Sequence, residues 1–300
     1  MKWQQRLQQI HQQDTKALAR CISLVENEAA GYQQFLSQLP VGHAPVIGIT
    51  GPPGAGKSTL VDALIGEMVA NGKKVAVLCV DPSSPFNLGA LLGDRIRMSD
   101  WYSHPSVFIR SLATRGSLGG LHPQIIAITS LLQAAWFDYI IVETVGVGQS
   151  EIEIVGLADT TIVVLVPEAG DEVQTMKAGL MEIADIFVVN KSDRPDADLF
   201  VHHLKQMLAP TFYTKQQEVP IIKTTASQKK GIAELYTAIA HYQPLAHNQR
   251  HSRLLAEKAY QLIQQKRMKD IDKQVLMEEI ERLSLAGEFN LYGFVEGFGC

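Results

Sequence analysis

Residues 51–60 read GPPGAGKSTL, and the rest of the chain is interpreted outward from them. The stretch fits G-x-x-x-x-G-K-[ST] from Gly51 through Pro52, Pro53, Gly54, Ala55, Gly56 and Lys57 to Ser58, with Thr59 just beyond. Gly51, Gly54 and Gly56 permit positive φ and a close approach of backbone to a polyphosphate. The loop N–H groups then converge on phosphate oxygens at the positive end of the helix that follows. Lys57 is placed to reach the β- and γ-phosphates, and the Ser58 hydroxyl to ligate Mg²⁺. Such a match carries meaning only between a strand and a helix, and both are predicted here. PVIGIT (45–50) is a short apolar run that reads as a buried strand, and TLVDALIGEMVANG (59–72) has helical periodicity that stops at Gly72.

Six further apolar, β-branched runs follow: KKVAVLCV (73–80), SVFIR (106–110), DYIIVE (138–143), TTIVVLV (160–166), DIFVVN (185–190) and VPIIKT (219–224). Continuous runs of this kind belong to strands covered on both faces. Helical stretches such as HPQIIAITSLLQAAW (122–136) and AELYTAIAHY (233–242) separate most of them. The alternation predicts an α/β fold, a doubly wound, mostly parallel sheet. Before it, residues 3 to about 38 read as helices, with Leu18, Cys21, Ile22 and Val25 on one stripe, and PVGHAP (40–45) breaks the chain. After about residue 250 the pattern is helical and charged, as in RLLAEKAYQLIQQKRMKDIDKQVLMEEIERL (253–283). The expected organisation is a helical extension over 1–44, a P-loop domain over 45–245 and a C-terminal helical extension over 246–300.

NKSD (190–193) stands directly after the strand DIFVVN. Asp193 is suited to accept from guanine N1–H and the exocyclic amine, Asn190 to donate to O6, and the stem of Lys191 to lie across the base. Adenine would leave the carboxylate without its donors, which costs about 2 kcal/mol at a buried polar group. The nucleotide expected is therefore GTP or GDP. Thr225 and Ala226, after the last strand, stand where a Ser-Ala loop would touch guanine O6.

Carboxylates complete the picture. DYIIVETVG ends its strand in Glu143 with Gly146 three residues on, an E-x-x-G in place of the usual D-x-x-G. A carboxylate there holds the hydration shell of Mg²⁺, and the glycine amide senses the γ-phosphate. Asp81 closes VAVLCV, and a strand-terminal Asp points into the crevice where ligands bind in open α/β sheets. Asp94 sits in LLGDRIRM, with Arg97 three residues on, within reach of a γ-phosphate. For Asp81, Asp94 and Arg97, ordinary capping or surface ion pairing stays open.

Composition excludes other classes. With 300 residues, 46% of them hydrophobic, a sizeable core is available. A net charge of −4 and the lack of a basic tract argue against a nucleic-acid partner. The three cysteines are scattered and form no C-x-x-C, as suits a reducing compartment. MKWQQRLQQIHQQD is polar and no apolar run is long enough to span a bilayer, so a cytoplasmic protein without membrane contact is expected.

Taken together, GPPGAGKST, VDPSS, LLGDRIRM, RGSLGG, ETVGVGQSE, PEAGDEVQTMKAG and NKSD closely resemble the MeaB/ArgK family, GTPases of the SIMIBI class of P-loop proteins. The resemblance covers nearly the whole chain and is most specific from about 46 to 193. It implies a slow GTPase acting as chaperone of an adenosylcobalamin-dependent, methylmalonyl-CoA-type mutase, gating cofactor loading and protecting the mutase. It implies GTP/GDP and Mg²⁺ as ligands, with Lys57, Asp94 and Glu143 catalytic and Ser58, Asp81, Asp94 and Glu143 around the metal. It also implies a signalling loop carrying Asp171, Glu172, Gln174 and Lys177, and a homodimer formed through a C-terminal arm. Three departures stand out: Asn87-Leu88-Gly89 replaces the usual Thr-Gly-Gly, Arg95-Ile96 the usual Lys-Thr, and the tail FNLYGFVEGFGC is short for such an arm. An ArgK-type kinase linked to basic-amino-acid (LAO/AO) transport and a nickel-type metallochaperone GTPase are the alternatives. NKSD speaks against the kinase. His202-His203, adjacent on a helix and so pointing apart, speak against the metal carrier.

Overall fold

A computed structural model of the chain describes residues 3–81, 98–115, 121–145, 150–167, 183–215, 219–242, 249–268 and 271–297. Three helices open the chain: α1 (Trp3–His11), α2 (Thr15–Glu26) and α3 (Tyr32–Leu36). Asp14 caps α2, its carboxylate accepting from the N–H groups of Lys16 and Ala17. The stripe expected on this helix is buried, with Leu18, Cys21, Ile22 and Val25 fully withdrawn from solvent. Then follow β1 (Val46–Thr50), α4 (Lys57–Ala70), β2 (Val75–Asp81), β3 (Val107–Ala113), α5 (Ile125–Gln133), β4 (Tyr139–Glu143) and α6 (Ser150–Leu157). They are succeeded by β5 (Thr160–Leu165), β6 (Ile186–Val189), α7 (Ala197–Lys215), β7 (Ile221–Lys223) and α8 (Ile232–His241).

The seven strands form one sheet in the order β3-β2-β4-β1-β5-β6-β7, every pair parallel. Each of the seven apolar runs is thus a strand, and β1, β2, β5 and β6 are buried along their whole length. That is the signature of a sheet with helices on both faces. One face packs Ile47, Ile49, Val75, Val77, Ile141, Ile162 and Val164 against Leu60, Leu64, Ile65 and Met68 of α4. On β1, Gly48 admits α6 so closely that a Cβ there would lie 2.5 Å from Ile154 Cγ1.

The strand starts share a device. Asp138 stands just before β4, Asp159 before β5 and Asp185 before β6. Each donates its own N–H to the carbonyl of the residue facing it and accepts that residue's N–H on its carboxylate. The partners are Lys74, Val46 and Thr161, at 2.7 Å for every carboxylate bond. Where β4 meets β1 and β6 meets β7, the positions facing the strand starts are Pro45 and Pro220. Only their carbonyls accept, from Ile140 and Phe187, and proline has no N–H to satisfy.

By internal contacts the chain divides into two compact units, Met1–His251 and Ser252–Cys300. The second holds most of α9 (Gln249–Arg267), together with α10 (Lys273–Leu285) and α11 (Leu291–Glu296). The charged helical tail is therefore broken, and Asp272 caps the start of α10 by accepting from Gln274 N–H. Within this unit Leu255, Tyr260, Ile263, Val275 and Leu285 are exposed. Among the described residues no helix is long and apolar enough to cross a membrane.

Candidate functional site

The C-terminal ends of the central strands open onto a cleft of about 510 Å³. Its lining includes Pro53, Gly54, Gly56, Lys57, Ser58 and Thr59 from the loop, Asp81 from the end of β2, Glu143 from the end of β4, and Lys191 after β6. Topology brings these residues together. β1 lies between β4 and β5, so the loop leaving β1 emerges beside the last residues of its neighbours.

The loop's geometry follows from its glycines. Gly56 has φ +86°, and a Cβ at that position would stand 2.5 Å from Asn190 Nδ2. Gly56 is also the N-cap of α4, so the helix begins at Lys57 with its first N–H groups directed at the cleft and no side chain capping them. Lys57 Nζ donates to the carbonyls of Gly51 (2.9 Å) and Pro52 (3.2 Å), which folds the side chain back over its own loop. Ser58 Oγ donates to Glu143 Oε1 at 2.7 Å. Lys57, Ser58, Asp81 and Glu143 are all between 3 and 7% exposed. Two carboxylates, a hydroxyl and an ammonium thus share one poorly hydrated corner. Beside them, Thr144 Oγ1 donates to Thr50 Oγ1 at 2.9 Å, tying the ends of β4 and β1 together.

On the other side of the loop, Asn190 is 2% exposed and uses its whole side chain inside the protein. Nδ2 donates to the Ala55 carbonyl at 2.9 Å, while Oδ1 accepts from Thr224 Oγ1 and Ala226 N–H, both at 3.1 Å. Its amide therefore fastens the phosphate loop to the segment Thr224–Ala226, a role the motif alone did not disclose. Lys191 adopts the left-handed conformation, φ +56°. The turn it begins is held by Ser192 N–H on the Thr224 carbonyl and Arg194 N–H on the Lys191 carbonyl. Asp193 is exposed at the end of this turn. Thr225 and Ala226 are buried, with Thr225 Oγ1 3.2 Å from Ser192 Oγ.

Asp94, Arg97, Gly146, Asp171, Glu172, Gln174 and Lys177 lie outside the described residues, as do the family departures at 87–89 and 95–96. His202 and His203 are exposed on α7 with ring centroids 6.3 Å apart and planes inclined at 52°.

A parallel, doubly wound sheet with a glycine loop on a helix N-terminus, and an N-K-x-D turn fastened to it, defines a P-loop GTPase. The particular family follows from comparison with known proteins. The model of the methylmalonyl-CoA mutase-associated GTPase MeaB matches residues 18–280, and the chain belongs to that family. A Pyrococcus abyssi protein carrying a provisional GTPase name is 46% identical over 282 residues, 92% of this chain and 86% of that one. The GTPase ArgK of Escherichia coli K12 is 36% identical over 247 residues, 79% of this chain and 75% of that one. Among solved structures, an LAO/AO transport system kinase superposes with a TM-score of 0.67 at 24% identity, covering 99% of this chain and 96% of that one. At that identity the likeness speaks for the fold alone.

Proposed function

We propose that this GTPase is the chaperone of an adenosylcobalamin-dependent acyl-CoA mutase of the methylmalonyl-CoA type, gating cofactor loading and protecting the loaded mutase. The observation that carries the reading is the family match over residues 18–280, whose description ties its members to that mutase. The E. coli relative is itself named a GTPase, so its likeness adds nothing to a kinase reading.

In this proposal Lys57 exchanges the Gly51 and Pro52 carbonyls for phosphate oxygens, and the N–H groups at the start of α4 take the remainder. Asp193 accepts from the guanine edge, while Asn190 keeps the base-reading and phosphate-holding loops in register. Ser58, Asp81 and Glu143 offer an all-oxygen set in one buried corner. That donor chemistry fits Mg²⁺, a hard cation that retains several waters. When bound, the ion supplies charge neutralisation at the β- and γ-phosphates. Asp94 is proposed to join this set. Glu143 already accepts from Ser58, so the two are pre-positioned rather than recruited on binding.

The helical parts take supporting roles: residues 1–44 as an extension of the 45–245 GTPase domain, and residues 246–300 as the element through which two copies pair. The exposed Leu255, Tyr260, Ile263 and Val275 support the pairing. Signalling to the mutase is assigned to Asp171, Glu172, Gln174 and Lys177.

The test is GTP hydrolysis with and without purified methylmalonyl-CoA mutase. The mutase should accelerate turnover, and Lys177→Ala should lose most of that gain while keeping its basal rate. An unmodified protein indifferent to this mutase, but stimulated by another cobalamin mutase, would move the partner within the class. Indifference to all of them would overturn the chaperone reading.

A further inference from the structure

A second network, away from the nucleotide cleft, joins the N-terminal helices to the sheet. Glu26, the last residue of α2, uses both carboxylate oxygens. Oε2 accepts from Arg110 Nη2 at 2.6 Å, and Oε1 accepts from Arg115 Nη2 at 3.1 Å. Arg115 also donates to the Glu26 carbonyl (3.1 Å) and to Asn27 Oδ1 (2.9 Å), and Arg110 to Ser23 Oγ (3.2 Å). A third tie follows close by, from Gln124 Nε2 to Glu28 Oε1 at 2.8 Å. The Glu26 side chain is only 12% exposed, and Arg110 Nε is buried without an acceptor. One carboxylate therefore neutralises two partly buried guanidinium groups, an arrangement unlike a solvated surface pair.

Arg115 is held in a conformation that it would not choose. Its φ is +49°, in the left-handed region that non-glycine residues rarely adopt. Such a conformation persists where the surroundings over-determine it. Glu26 and Asn27 are part of those surroundings. The residue before it, Thr114, donates its N–H to the main-chain carbonyl of Asp81 at 3.0 Å, and Ala113 is the register partner of Asp81 in the β2–β3 pair. A continuous chain of contacts thus runs from α2 through Arg115 and Thr114 to the main chain of Asp81, whose side chain lines the nucleotide cleft.

We infer that Glu26 is a positioning residue for the metal site: by holding Arg115 in its left-handed conformation, it fixes the main chain that carries the Asp81 carboxylate. This rests on the proposed role of Asp81 toward Mg²⁺. Loss of Glu26 removes the shared counter-charge from Arg110 and Arg115 and lets the backbone at 114–115 relax. Asp81 then meets the ion from a less defined place, while the phosphate loop and the guanine turn stay as they are. The Mg²⁺-dependent part of nucleotide affinity should fall, and the metal-independent part should not.

The experiment uses the full chain and a fluorescent, non-hydrolysable GTP analogue, titrated in EDTA and in rising Mg²⁺. For Glu26→Ala, affinity in EDTA should stay within about twofold of the unmodified protein. The gain in affinity on adding Mg²⁺ should shrink by about tenfold, toward that of Asp81→Asn. Arg115→Lys, which keeps the charge but not the forked geometry, should fall between the two and serves if Glu26→Ala folds poorly. An unmodified protein that gains nothing from Mg²⁺ overturns the metal reading, and this inference with it. If the unmodified protein gains and both variants gain as much, the positioning role alone is overturned, even if their melting temperatures drop.

Discussion

Asn190 Nδ2 lies 2.9 Å from the carbonyl oxygen of Ala55, so the NKSD turn and the glycine loop are joined by one side chain. The same amide's oxygen accepts from Thr224 and Ala226. Asn190→Ala removes all three bonds and leaves buried polar groups unsatisfied, a loss of about 2 kcal/mol or more. Affinity for GTP and for GDP should therefore fall together, by more than about tenfold, with a lower melting temperature. Equilibrium binding of labelled nucleotides checks this, and undiminished binding would show that the loops hold their shapes independently.

Asp193 should behave differently. It is exposed at the end of the turn and makes none of the bonds that organise it, so Asp193→Asn leaves the scaffold intact. The unmodified protein should prefer GTP over ATP by at least roughly tenfold, the scale of one buried hydrogen bond, and the variant should lose that preference. Competition of ATP against labelled GDP measures it. Equal affinities in the unmodified protein would rule out base reading by this carboxylate.

Lys57 folds over the loop carbonyls of Gly51 and Pro52 and is nearly inaccessible to solvent. Intrinsic turnover should be slow, on the order of 10⁻⁴ to 10⁻² s⁻¹. Lys57→Ala should abolish it without unfolding the sheet. Phosphate release under single-turnover conditions, paired with a melting curve, separates the two effects.

His122 gives a pH dependence of known sign. It is 2% exposed, and its Nδ1 accepts from Gln124 N–H at 3.0 Å, so the neutral ring carries its proton on Nε2. Burial, aided by Arg115 and Arg110 and opposed by Glu26 and Glu28, pushes its pKa down to about 4. An unfolded histidine titrates near ~6.5. Between those values the unfolded chain binds a proton that the folded chain refuses, so this group's stability contribution is complete above the unfolded value and is lost as pH falls. From pH 7 to pH 5 the loss is about 2 kcal/mol. His122→Asn keeps an acceptor toward Gln124 but cannot titrate, so urea unfolding should show a shallower decline in stability over that interval. Parallel declines would place the titration elsewhere.

The strands were legible because burial on both faces leaves unbroken β-branched runs, and TTIVVLV or DIFVVN admits few other readings. The glycine loop and NKSD were legible for a different reason: each is a short run of consecutive residues directly after a strand, so sequence and geometry coincide. Glu26 was not legible. Its partners Arg110 and Arg115 are 84 and 89 residues away, and only the placement of α2 beside β3 makes them neighbours. Asn190 was half legible. The motif marks it, but its engagement with Ala55 depends on how β1 and β6 emerge from the sheet. The tail was legible as helical and charged, but not its division, in which Asp272 starts a new helix by accepting from Gln274 N–H.

The aspartates before β4, β5 and β6 bear on how the chain reaches its fold. A parallel sheet closes only through contacts between distant segments, which makes its assembly slow and exposes it to slipped pairings. Sliding β5 by one residue along β1, or along β6, would part Asp159 from Val46 or Asp185 from Thr161 and deprive an N–H of its native acceptor. Proline at the facing positions of the β1–β4 and β6–β7 pairs removes the same N–H outright, so those junctions have none to strand. The carboxylates thus act as a local check on alignment: a slipped pairing is penalised at the start of the strand. Replacing Asp159 with alanine should accordingly slow productive folding and raise the yield of trapped species, more than it lowers the stability of the molecules that fold.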